Sequence, residues 1–132
     1  MKKQETMRVT RLYTGDDGES RFEDIEVELA DAGPIGFLSP AVPVGRLIFR
    51  LTDGDYDYDW HNAPERQYVI MLEGEVDIEA GSGEVRRFGP GDILLVEDVD
   101  GRGHRSRAVD GRPRRSLFIT LPPKDDAGSP GD

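Results

Sequence analysis

The sequence predicts an all-β domain, and two observations carry that reading. Sixteen glycines and nine prolines punctuate the 132 residues, a density that leaves little room for long helices. Between them, short segments alternate in character with the period of two that sets one face of a strand against a core. In chain order, Ile25, Val27 and Leu29 alternate with Glu26 and Glu28, and Leu47, Phe49 and Leu51 alternate with Ile48 and Arg50; each reads as a strand with one buried face. Residues 31–45, with three prolines and three glycines, read as a long irregular crossing. Further strands follow over 68–72, 76–80, 93–96 and 117–121. Asp17-Gly18, Asp53-Gly54, Glu73-Gly74, Gly89-Pro90-Gly91, Asp100-Gly101 and Asp110-Gly111 supply the reversals between segments. No solenoid period is present. Short strands in this number, without helical segments, point to a sandwich or a jelly-roll barrel.

The length suits one domain, expected over 8–121, with residues 1–7 and 122–132 too polar and rich in turn formers to be ordered. The 27 acidic side chains outnumber the 17 basic ones and give a net charge of −10, which makes DNA, RNA and anionic membranes poor partners. The absence of cysteine excludes disulfides, thiolate metal sites and cysteine nucleophiles. No apolar run approaches the length of a membrane span, and the chain reads as cytoplasmic. No serine sits in a nucleophile elbow, and no glycine loop has the spacing that cradles phosphates, so serine hydrolases and nucleotide cofactors fall away. The run Asp53, Asp55, Asp57 does not make a calcium loop, because Tyr58 stands where such a loop needs glycine and Pro64 where it needs glutamate.

Imidazole chemistry has only His61 and His104 to draw on, each expected at a strand entrance. The segments that carry them resemble the paired motifs of the cupin superfamily over roughly residues 45–121. In that family the first motif runs from Gly through His-x-His to Glu, with Gly seven residues later. Anchored on Gly74, it places Gln67 at the glutamate position, His61 and Ala63 at the two histidine positions, and Gly54 near its start. The second motif is a Gly-Asp turn, an apolar strand, a bend and a histidine, met here by Gly91-Asp92, 93–96, 97–103 and His104. The resemblance implies a single-domain cupin-like jelly-roll barrel, a double-stranded β-helix, and a homodimer. It also implies a pocket where His61, Gln67 and His104 would hold one divalent ion of iron, manganese, nickel or zinc, with Ala63 unable to ligate and Gln67 bringing no charge. The residues leave open a metal-free use, in which the histidines line the pocket as hydrogen-bonding groups or one acts as a general base.

Other candidates surround these positions. Tyr56, Tyr58 and Trp60 alternate with Asp55, Asp57 and Asp59, which would give an aromatic face and an acidic one; Tyr58 is a candidate acid, and Trp60 part of a ligand's seat. Arg66 would pair with an acid or reach in to clamp a carboxylate. Glu97 and Asp98 begin the bend before His104, and Glu97 is the one taken as a ligand-binding candidate. Six arginines between Arg102 and Arg115 face one acid, Asp110; pairing with the acidic segment from Glu19 to Asp31 accounts for them better than an anion site. The expected function is a cupin-type small-molecule enzyme of the proton-transfer, lyase or oxygenase class acting on an oxygen-rich compound. The alternatives are a non-catalytic binding cupin and a metal-free isomerase or epimerase with a histidine base.

Overall fold

The computed structural model describes residues 5–123. Eleven strands form two sheets: β1 (Glu5–Thr14), β2 (Ser20–Asp31), β3 (Phe37–Leu38), β4 (Leu47–Thr52), β5 (Asp57–His61), β6 (Gln67–Glu73), β7 (Val76–Ala80), β8 (Val85–Phe88), β9 (Ile93–Val96), β10 (His104–Ala108) and β11 (Arg114–Thr120). The larger sheet runs β3-β2-β1-β9-β6-β11-β4 and the smaller β5-β10-β7-β8. Neighbouring strands are antiparallel, except that β1 lies parallel to β9. The one helical element is a 3-10 turn, Gly33–Ile35, inside the crossing over 31–45, so among the described residues no helix is long and apolar enough to span a membrane.

Alternation decides what each sheet offers the interior. On the larger sheet Leu12, Met71, Leu94 and Val96 point inward, and on the smaller Val76, Ile78 and Ala80 do so; together with Phe88 they make the core. Phe22 packs against that core, tilted against Phe88 at 5.9 Å between ring centres.

Three expectations are corrected. The chain is ordered into β1 from Glu5, so residues 5–7, expected to be loose, belong to the sheet; the expectation for the C-terminal tail beyond Pro123 lies outside the described residues. His61 ends β5 rather than entering a strand, while His104 does begin β10. Leu47, Phe49 and Leu51, expected to be buried, are 54%, 77% and 58% exposed, because β4 is an edge strand that turns Arg50 and Thr52 inward.

Candidate functional site

A cavity of about 360 Å³ opens between the two sheets. Its apolar floor is built from inward residues of β6, β7 and β9, among them Met71, Ile78 and Leu94, and its polar groups include His61, Asn62, Gln67, His104, Ser106 and the two arginines Arg50 and Arg114.

The two histidines meet because β5 carries a bulge. His104 faces His61 across the ladder and Ser106 faces Tyr58, so two steps along β10 match three along β5. In a regular strand, residues three apart would lie on opposite faces; the extra residue brings both Tyr58 and His61 to the cavity side. Their rings stack with centres 3.9 Å apart, and the His61 and His104 rings lie 4.5 Å apart. The same register change removes Trp60 from the cavity, where an unbroken aromatic face had been expected. Trp60 instead sits under Arg102 and Arg105, with guanidinium carbons 4.1 and 5.9 Å from its ring centre.

Each imidazole has a defined partner. His104 Nδ1 lies 2.5 Å from Oδ2 of the fully buried Asp98. A carboxylate accepts, so Nδ1 is assigned the proton and Nε2 is the ring's remaining nitrogen. His61 Nδ1 donates to the Asp59 carbonyl at 2.7 Å, which leaves its Nε2 as an acceptor. Burial pushes the His61 pKa below its ordinary value, with a smaller contribution from His104, and the Asp59 hydrogen bond only partly offsets this. The bend before His104 is held by the Ala63 amide, which donates to the Asp98 carbonyl at 3.1 Å, and by Asn62 Nδ2, which donates to the Asp100 and Gly101 carbonyls at 2.9 and 3.0 Å.

Of the sequence candidates, His61, His104, Tyr58 and Gln67 therefore line one cavity, whereas Trp60, Arg66 and Glu97 do not. Glu97 accepts from Arg11 Nε at 2.6 Å and from Arg66 Nε at 2.8 Å on another surface of the molecule. Burial pushes the Glu97 carboxyl up, but the bonds from Arg11 and Arg66 outweigh it and hold the pKa below its ordinary value. The acid that orients an imidazole is its neighbour Asp98. The arginine cluster also divides: Arg102 pairs with Glu19 as expected, but Arg105 pairs with Glu79 and Arg115 with Glu73, and Arg114 turns into the cavity. Tyr56, expected on an aromatic face, and Arg114, expected to pair with the acidic segment, both line the cavity, and Arg50 is the charged site residue that sequence reasoning passed over.

No protein-family model and no curated protein matches the chain. Among solved structures, the cupin domain of Cnp3 from Schizosaccharomyces pombe aligns over 91% of this chain and 86% of that one, with a TM-score of 0.51 at 8% sequence identity. The chain has a cupin-like fold. A Salmonella typhimurium protein described as ethanolamine utilization protein Q aligns with this cupin-like chain over 92% of its length and 98% of the other, with a TM-score of 0.46 at 14% identity.

At the positions where the sequence resemblance led one to expect metal ligands stand His61, Gln67 and His104. Two imidazoles and an amide bring no negative charge, and Arg50 and Arg114 share their cavity. Among the described residues no group of three or more His, Asp or Glu side chains is placed to hold a metal ion. This donor set does not fit a resident dication, which needs carboxylate or a full set of imidazoles to offset its desolvation.

Proposed function

We propose that this cupin-like chain takes a small organic molecule into the cavity and moves a proton on it, with His104 as the base and Asp98 as its positioning residue. The observation that supports this reading is the buried Asp98–His104 contact behind a ring that lines the cavity. Nε2 of His104 accepts a proton from the bound molecule, and the imidazolium so formed is stabilised by the Asp98 carboxylate. Return of that proton to another atom completes an isomerisation. His61, kept neutral by burial, presents a second Nε2 to the same molecule, and Tyr58 stacked on it supplies a phenol O–H at the cavity mouth. Gln67, 6% exposed, is an amide for orientation.

The test is solvent deuterium wash-in. The full-length protein is incubated in D2O with small ketones, aldehydes and hydroxy acids, and loss of C–H signal is followed by NMR. The expected result is exchange in at least one compound, slowed about 100-fold or more in His104→Gln, the share a positioned general base supplies. Equal exchange by both proteins, or no exchange above buffer, overturns proton transfer and leaves a binding cupin.

The cavity-bearing chain also pairs with a second copy of itself, in this reading, through the outer face of β4. Leu47, Phe49 and Leu51 make an exposed stripe with no charge of its own on a chain of net charge −10. The stripe itself brings no carboxylate to an interface between two acidic copies, and pairing would cover its exposed apolar side chains.

A further inference from the structure

Arg114 is 7% exposed, its buried Nη1 has no hydrogen-bond partner among the described residues, and it lines the cavity. Directly across the ladder, Thr52 Oγ1 is also buried and has no partner among the described residues. Arg50, on the same inward face of the β4–β11 pair, lines the cavity too. Both guanidinium groups lie over the Tyr56 ring, with carbons 5.3 Å (Arg50) and 4.9 Å (Arg114) from its centre. Among the described residues no aspartate or glutamate lines the cavity, although the chain has 27 acidic residues and elsewhere sets them against Arg8, Arg11, Arg66, Arg86, Arg102 and others. Two like charges held side by side in a partly apolar enclosure, one of them nine-tenths buried, oppose folding unless something of opposite charge meets them. Burial, with Arg50 nearby, holds the Arg114 pKa below its ordinary value, and the interaction with Tyr56 offsets only part of this.

We infer that Arg114 and Arg50 form a subsite for the carboxylate of a small organic acid, bound with its carbon skeleton on the apolar floor and its reacting end at His104 and His61. This rests on the proposed function and names its substrate class. The planar guanidinium fork matches a carboxylate in two parallel hydrogen bonds, and Tyr56 under both cations fixes their planes. The apolar floor favours an organic anion over inorganic phosphate, which would strand its remaining oxygens against Met71 and Leu94.

The experiment is an NMR titration of the full-length protein, read at the arginine Nε–H signals and at the two imidazoles. The probes are benzoate and cyclohexanecarboxylate, their primary amides, and inorganic phosphate. The expected result is that at least one carboxylate shifts an arginine Nε–H and both imidazoles while its amide does not. Arg114→Gln should then weaken that carboxylate by roughly 10- to 100-fold, the worth of hydrogen bonds to a charged group. Should Arg114→Gln not fold, Arg50→Gln on the edge strand provides the same reading, with an expected loss of about tenfold. Equal binding of acids and amides, binding unchanged in both variants, phosphate bound in place of the carboxylates, or no binding by any probe at its solubility limit each overturns the inference. A carboxylate held through Arg114 with no deuterium wash-in would refute the proton transfer and leave this subsite standing; wash-in that is indifferent to Arg114 and Arg50 would do the reverse.

Discussion

The approach of the two histidines depends on Gly103, and Gly103→Ala measures how tightly. Gly103 has φ +82°, and a Cβ built there would lie 2.0 Å from the His61 carbonyl oxygen, 2.4 Å from its carbon and 2.8 Å from the Asn62 nitrogen. The first of these is more than 1 Å inside ordinary contact, so alanine has to push the end of β5 away from β10. Gly18 provides a matched reference, with φ +83° and nothing near the added Cβ. Each alanine incurs the left-handed backbone cost of about 1–2 kcal/mol, and only Gly103→Ala adds the overlap, about 1–3 kcal/mol by analogy with overpacked cores. At about 4 °C per kcal/mol for a domain of this size, Gly18→Ala should lower Tm by about 4–8 °C and Gly103→Ala by about 8–20 °C. Thermal unfolding followed by circular dichroism reads the difference. Equal losses for the two variants would refute the close β5–β10 approach, and with it the shared cavity position of His61 and His104.

Three further outcomes are expected. Because burial lowers the His61 pKa, the unfolded chain binds more protons there; the stability His61 contributes is present above its unfolded pKa of about 6.5 and lost as pH falls below it. His61→Gln should therefore flatten the fall in Tm between neutral and mildly acidic pH, and an unchanged slope would contradict the assignment. Elemental analysis of protein purified without chelator should show no near-stoichiometric divalent metal; one ion per chain that vanishes in both His61→Ala and His104→Ala would contradict the donor-set argument. Light scattering should give a dimer that Phe49→Asp converts to monomer, since roughly 1.5–3 kcal/mol of apolar burial is lost at each Phe49; a wild-type monomer would remove β4 as an interface.

The strands over 25–29 and 76–80 were legible in the sequence from alternation, and those over 68–72 and 93–96 from short apolar runs bounded by turn residues. β8 was not, since Val85–Phe88 places two arginines between its apolar ends. Alternation in β4 showed two faces without showing which faced inward; a polar cavity reverses the usual rule and draws in Arg50 rather than Phe49. The bulge in β5 left no signal in the alternation of Tyr56, Tyr58 and Trp60, so it moved Trp60 out and His61 in. Glu97 and Asp98 are adjacent acids, as Arg114 and Arg115 are adjacent cations. One residue of register decides which member of each pair meets the cavity or its histidine, and composition carries no information about that choice.

The most direct test is the long-range ¹H–¹⁵N spectrum of the two imidazoles at neutral pH. With only two histidines the assignment follows from single substitutions. The expected spectrum has the Nδ1 of each ring carrying a proton, with Asp98→Asn disturbing the His104 pattern and sparing that of His61. A His104 ring protonated at Nε2, or one indifferent to Asp98→Asn, would show that no base is held toward the cavity and would contradict the proposed function.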